Sequence, residues 1–208
     1  MYVGNTDLFE ILSGIVSLII AIRAFWLFAQ FRGYRLFILG LSMLLFSLTT
    51  IAGIARNAQL IPLAFSTTWF SFVGQTGAFL FLFLSSLRGT DGYLRSLIRW
   101  QIITSVPMAW LLVISPVLPQ VSDPFIKALF IASRALVCFL TFYSYVALFM
   151  KKETRFSFLM MVAFLALTFG YVGIIPRFFL PQAAILTLVG DMLRVIGLIA
   201  LAFGFLGG

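Results

Sequence analysis

The clearest signal in the sequence is the stretch at residues 182–206, QAAILTLVGDMLRVIGLIALAFGFL, which is apolar along almost its whole length. A transmembrane α-helix needs about 20 mostly apolar residues to cross the hydrocarbon core of a bilayer. Only Asp191 and Arg194 interrupt this run. The stretch therefore predicts a membrane-spanning helix that carries charge inside the bilayer.

Six similar stretches precede it, each bounded by charged residues, prolines or glycines. They cover residues 8–30, 35–55, 62–87, 96–115, 124–150 and 155–175. Pro107 interrupts the fourth, although an internal proline is tolerated in a membrane helix; without this span there would be six. The sequence predicts an all-α membrane protein, a bundle of about seven transmembrane helices that forms a single transmembrane domain over residues 1–208.

The composition supports this class. Hydrophobic residues make up 62% of the chain and charged residues only 10%, whereas roughly a quarter of the residues in soluble proteins are charged. The net charge of +8 is distributed between the apolar stretches and does not gather on one face or helix. We therefore expect the basic residues to set topology and to contact lipid headgroups, and we expect no nucleic-acid partner.

The distribution of basic residues predicts the orientation, because cytoplasmic connections retain an excess of lysine and arginine. The first, third and fifth connections with their flanks carry Arg32, Arg35, Arg88, Arg95, Arg99, Lys151, Lys152 and Arg155. The opposite side carries Arg56, Lys127 and Arg177. This asymmetry predicts an outside N-terminus, an inside C-terminus and a multi-pass protein of the cell membrane, either plasma or inner.

Two halves of the chain resemble each other. When the sequence is slid along itself, Arg35 aligns with Arg155, and in another register Gly74-Gln75 aligns with Gly190-Asp191. These matches predict an internal repeat of three helices. The alternative is that two hairpins rich in Phe and Leu match through composition alone.

With the repeat, residues 8–87 and 124–206 form parallel halves joined by the helix at 96–115, a 3+1+3 plan with a pseudo-twofold axis along the membrane normal. This plan resembles that of the sugar-efflux and PQ-loop transporters, in architecture only. Their Pro-Gln pair belongs in the first helix of each repeat, whereas here Pro119-Gln120 lies in a connection and Pro181-Gln182 opens the last helix. The chain is therefore not assigned to that family.

Charged residues inside membrane spans are costly and by default functional. Arg134, Asp191 and Arg194 lie well inside the fifth and seventh stretches. Asp191 and Arg194 are three residues apart, so they share one helical face and can pair directly. Arg134 then needs a carbonyl or acidic partner, and Glu10 is the other acid expected near the outer half of the membrane.

This set has two interpretations. One is a buried ion network that fixes helix packing. The other is an outward-facing polar cavity that binds an anion, a headgroup or a solute, with Gln75 and Tyr171 also lining it. Two pairs of small residues, Gly74 with Ala78 and Ala166 with Gly170, are four residues apart and would allow close helix packing.

Several reaction classes conflict with the composition. The chain has no histidine and one cysteine, Cys138, so histidine-dependent catalysis, histidine-ligated haem and thiolate metal clusters are excluded. Retinal needs a lysine deep in a helix for its Schiff base, but Lys127, Lys151 and Lys152 lie near the ends of the stretches. We expect no enzyme activity, no cofactor and no metal site.

Three functions stay open. The first is a non-catalytic accessory or ligand- or lipid-binding subunit of a larger membrane complex, with partner membrane subunits or a homo-oligomer and with a lipid or quinone as its ligand. The second is a small-solute transporter with a polar site at the repeat interface. The third is the membrane sensor region of a signalling protein, similar in layout to the seven-helix input regions of some sensor kinases.

Overall fold

A computed structural model describes residues 3–57, 67–87, 90–119, 121, 123–180 and 182–206. The helices are α1 (Val3–Phe31), α2 (Tyr34–Asn57), α3 (Thr68–Ser86), α4 (Asp91–Val113), α5 (Pro124–Lys152), α6 (Arg155–Ile174) and α7 (Ala184–Leu206). A 3-10 turn at Ile175–Phe178 follows α6. All seven α-helices in the described residues are long and apolar enough to span a membrane, which confirms the prediction of a polytopic helical membrane protein.

Some sequence-based expectations concern residues that the structure does not describe, and one predicted helix start differs from the observed one. Arg88, Gln120 and Pro181, used in the orientation and resemblance arguments, lie outside the described residues, as does the predicted start of the third stretch at residue 62. The fourth helix begins at Asp91 and not at 96, with Thr90 extended at its N-cap. Asp91 in the first turn favours this earlier start, because its negative charge is attracted to the positive end of the helix dipole.

The turns after α1 and α5 are alike. Each helix ends in a left-handed residue, Arg32 with φ 51° and Glu153 with φ 45°. The amide of each donates to a carbonyl four residues earlier, Phe28 and Phe149, at 2.8 Å. The next helix starts two residues later in both cases. Two hairpins that the repeat would pair therefore share one turn geometry; the repeat itself stays a prediction.

Six of the helices form a closed ring. In order of contact around it they are α1, α2, α3, α5, α6 and α7, and α7 packs back against α1. Helix α4 lies outside the ring and contacts α2 and α3. Gln101 of α4 is fully buried at this contact, where its side-chain amide donates to the Ser42 hydroxyl at 2.8 Å and the Ile38 carbonyl at 3.3 Å.

Buried aromatic rings cross the ring of helices near its middle. The Phe46 and Phe79 rings meet edge to face at 5.5 Å between centroids, and the Phe79 and Tyr171 rings do so at 5.6 Å. All three side chains are at most 1% exposed. We call this set, which joins α2, α3 and α6, the aromatic row.

Helices α6 and α7 approach each other most closely through glycines. A Cβ atom built on Gly190 would lie 2.7 Å from the Gly170 carbonyl oxygen, and one on Gly170 would lie 2.9 Å from the Gly190 carbonyl oxygen. A side chain at either position would force the two backbones apart. This contact, which Gly170 suggested from the sequence, fixes α7 against α6 beside the charges that α7 carries.

Candidate functional site

A polar cavity of about 120 Å³ opens within the ring, in the half that the basic-residue rule places outside. We call it the outer cavity. Its polar and charged lining consists of Glu10, Thr49, Thr50, Ser71, Gln75, Arg134, Tyr171, Arg177 and Arg194. Five of the six residues selected from the sequence therefore line one cavity, and the sixth, Asp191, is bonded to one of them.

Arg134 is the most buried of these cations. It lies ten residues after Pro124, about 15 Å along α5, and its side chain is only 5% exposed. One guanidinium nitrogen donates to Gln75 Oε1 at 2.6 Å, and another donates to the carbonyls of Ser71 at 3.2 Å and Phe72 at 3.4 Å. The planar fork thus fastens α5 to uncharged oxygens of α3, the carbonyl type of partner that the sequence required.

Arg194 is held by its own helix. One guanidinium nitrogen bonds Asp191 Oδ1 at 3.0 Å, so the structure shows the ion pair predicted from the spacing. The Asp191 side chain is 5% exposed and that of Arg194 is 14% exposed. An arginine has five N–H donors, so this pair leaves Arg194 further donors on the side that lines the cavity.

Tyr171 lies between the two buried cations. The guanidinium carbon of Arg194 is 5.0 Å from its ring centroid, and that of Arg134 is 6.0 Å away. Both distances allow attraction between a cation and an aromatic face. The buried hydroxyl lies beside Arg194 but makes no well-formed hydrogen bond within the described part of the chain. Tyr171 therefore brings both guanidinium groups against one ring at the cavity wall.

Arg177 was missed as a site residue. The sequence assigned it to an outer connection and counted it for orientation, but the 3-10 turn after α6 brings it into the cavity lining. Its side chain is exposed, and its charge interacts with those of Glu10, Asp191 and Arg194. The sequence does place Arg177 six residues after Tyr171, at the outer end of an apolar stretch. This proximity to a selected residue was the signal that could have identified it.

The outer cavity carries an excess of positive charge. Three guanidinium groups, those of Arg134, Arg177 and Arg194, face two carboxylates, those of Glu10 and Asp191, which leaves one net positive charge. Charges inside a protein are screened far less than surface charges. The arrangement therefore favours an anionic group, and among the described residues no acidic or cysteine cluster could hold a metal ion.

A second cavity of about 370 Å³ lies at the opposite end of the ring. We call it the inner cavity. Leu39 and Leu82 line it. Leu39 lies two turns before Phe46 in α2, and Leu82 lies one turn after Phe79 in α3. Because consecutive helices cross the membrane in opposite directions, both leucines lie on the inner side of the aromatic row. The aromatic row therefore lies between the two cavities.

No protein-family model, curated protein or solved structure matches this chain. The seven spans establish a polytopic membrane protein. Any finer function is inferred from the geometry and charge of its cavities.

Proposed function

We propose that this chain is a non-catalytic membrane protein that binds an anionic group in the outer cavity and acts as a ligand- or lipid-binding subunit of a larger membrane complex. The observation that carries the proposal is the excess of guanidinium groups in one cavity. Three arginines and one glutamate line it, together with Gln75 and Tyr171. Guanidinium groups bind carboxylates and phosphates strongly, because each offers several N–H donors in one plane.

The size of the outer cavity narrows the ligand. Sites for whole drug-sized molecules usually enclose about 300–1,000 Å³, and this one encloses about 120 Å³. A carboxylate or phosphate group fits this space, with the rest of its molecule outside. The exposed Arg177 gives such a group a first contact before it reaches Arg194.

The accessory role rests on the surface of the bundle. Within the described part of the chain, helix α4 contacts only α2 and α3, and it exposes Trp100, Val106 and Trp110. In a membrane, such a face meets either lipid or another helix. A partner subunit on this face would leave the ring and its outer cavity undisturbed.

Anion binding can be tested by thermal unfolding of the purified chain in mild detergent. Inorganic phosphate or acetate, compared with chloride at equal ionic strength, should raise the Tm, because a ligand that binds only the folded state stabilises it by about 2.7 kcal/mol at 100 times its Kd. Arg177→Gln should reduce this rise. Lys127→Gln is the matched control, because Lys127 lies on the same side but does not line the cavity. Equal Tm values in all three anions would contradict the proposal.

The accessory role needs a separate experiment. Extraction of the chain from its native membrane with mild detergent should yield partner membrane subunits in a fixed ratio. A well-behaved monomer with no partner would contradict this part of the proposal while leaving anion binding intact.

A transporter is the second candidate, and one observation favours it. The outer and inner cavities approach each other from opposite ends of the ring and are separated by the aromatic row. A transporter would carry an anion past this barrier. In liposomes, flux of a carboxylate or phosphate should then be lost in Arg194→Gln; absence of flux in the unaltered chain would contradict transport.

A further inference from the structure

The inner cavity lies among helix ends. Its lining includes the second residue of α2, Arg35; the last residue of α3, Ser86; and the penultimate residue of α5, Lys151. The second residue of α6, Phe156, and the penultimate residue of α7, Phe205, complete this rim. Because five helices contribute from the same end, the cavity opens at that face of the bundle and extends inward from it.

The walls of the inner cavity are apolar. Leu39, Leu82, Met160 and Phe164 are buried and line its inward part. The Tyr145 ring stacks on Phe164 at 5.9 Å and extends this surface. Such walls favour a hydrocarbon chain and offer little to a soluble ion.

The cavity also has an opening toward the side. Leu87, which follows α3, and Ala147 of α5 line it and are exposed. The two helices are joined in the outer half by the bond between Arg134 and Gln75, whereas at the inner end the cavity lies between them. A molecule in the adjacent leaflet can therefore enter between α3 and α5.

The polar groups at the mouth specify a charge. Ser85, Ser86 and Ser144 line the cavity, but each hydroxyl donates to a carbonyl of its own helix, at 2.8, 2.7 and 3.1 Å. Their protons are thus committed to the helix. Arg35 and Lys151, both exposed, are the charged donors that an incoming headgroup meets.

From this geometry we infer that the inner cavity binds one anionic phospholipid of the adjacent leaflet. An acyl chain lies against the apolar walls, and the phosphate lies between Arg35 and Lys151. A neutral amphiphile such as a quinone would leave both cations without a partner, and a soluble anion would leave the walls without one. This site is separate from the outer cavity, so it stands or falls independently of the proposed function.

The test counts lipids retained by the full chain. Delipidated protein in mild detergent is mixed with equal amounts of phosphatidylglycerol and phosphatidylcholine that carry identical acyl chains, and bound lipids are counted by native mass spectrometry. We expect one tightly retained phosphatidylglycerol per chain, in clear preference to phosphatidylcholine. Equal retention of the two lipids would overturn the inference.

A charge variant locates the site. Arg35→Gln with Lys151→Gln should weaken phosphatidylglycerol retention roughly 25-fold, because each basic residue near an anionic headgroup contributes about a factor of five. The control is Lys152→Gln with Arg155→Gln, which removes the same two charges from the same end at residues that do not line the cavity. Equal losses in the two double variants would overturn the inference.

Two further experiments test whether the lipid's acyl chain occupies the cavity and whether the bound phosphate belongs to a lipid. Ala147→Trp fills the opening between α3 and α5 and should reduce retention while Arg35 and Lys151 stay in place. Should this variant fail to fold, the charge variants still decide the outcome. Soluble glycerol phosphate should not compete with the lipid; effective competition would show a soluble-anion site and overturn the inference.

Discussion

The outer and inner cavities belong to one ring of helices, yet they hold their charges in opposite ways. At the outer cavity Arg134 and Asp191 are each 5% exposed. Arg134 is bonded to Gln75, and Asp191 is bonded to Arg194. In the inner cavity Arg35 and Lys151 are exposed at helix ends, and the walls below them are apolar. The inner cavity has about three times the volume of the outer cavity.

This contrast predicts different consequences of mutation. Removing an uncharged hydrogen-bond partner of a buried charge costs about 2–3 kcal/mol, whereas an exposed basic residue near a membrane surface contributes about 1 kcal/mol. Substitutions in the outer cavity should therefore change the stability of the fold. Substitutions at the inner rim should change which lipid is bound and leave stability nearly intact.

The largest effect is expected at Gln75. Gln75→Leu removes the 2.6 Å acceptor of Arg134 and should lower the free energy of unfolding by about 2–3 kcal/mol, since hydrogen bonds to charged groups are worth that much when one side is lost. Chemical unfolding in mixed micelles gives the measurement. Adding Arg134→Met should recover much of the loss, because an apolar pair no longer carries a buried charge; no recovery would show that Gln75 acts through another contact.

One substitution made at two places on α7 compares the halves directly. Gly190→Ala should destabilise by about 1–3 kcal/mol through overpacking, because its new Cβ would meet the Gly170 carbonyl at 2.7 Å. Gly204→Ala, near the inner end, meets Met160 Sδ at an ordinary 3.6 Å. That second variant should be neutral or slightly stabilising, since alanine favours a helix over glycine. Equal losses of Tm in both variants would contradict the close approach of α6 and α7.

Replacing arginine by lysine tests whether geometry or charge matters. Arg134→Lys keeps the charge but loses the planar fork that bonds several oxygens of α3, so stability should fall by about 1–2 kcal/mol. Arg35→Lys should change stability and lipid preference by less than about 0.5 kcal/mol. Thermal unfolding and retained-lipid counts supply the two readouts, and a large effect at Arg35 would mean that the inner rim also requires a fixed geometry.

The charge balance of the outer cavity can be shifted at Asp191. Asp191→Asn keeps an oxygen beside Arg194 but raises the net charge of the outer set by one, so phosphate should bind about fivefold more tightly, a gain of about 1 kcal/mol. Phosphate titrations followed by Tm would measure it. Weaker binding in this variant would indicate that the Asp191 carboxylate orients Arg194 for the anion.

The helices were predictable because a long apolar run is stable in a bilayer as a helix, which satisfies its own backbone hydrogen bonds. Their arrangement was less so: the sequence could not place α4 outside the ring. In a bilayer the outside of a helix bundle is as apolar as its inside, so α4 shows no polar stripe that would mark its exposed side. Gln101, its buried link to α2, looks like any other polar residue in a span.

The candidate site was predictable where its residues are rare in lipid. Arg134, Asp191 and Arg194 attracted notice as charges inside spans, and the structure places them around or beside one cavity. Arg177 and the inner pair Arg35 and Lys151 did not, because membrane topology explains a basic residue at a helix end equally well. A space between leucine and phenylalanine side chains also leaves no mark in the sequence.

The closure of the ring between α1 and α7 has a consequence for biosynthesis. At about 5–20 residues per second, the ribosome makes α7 roughly 10–40 s after α1, so the ring stays open for that time. The buried charges have partners that are synthesised before them or together with them. Arg134 emerges after α3, whose oxygens it bonds, and Asp191 emerges with Arg194 on a single helix. Each deep charge can therefore leave the translocon with its partner already made.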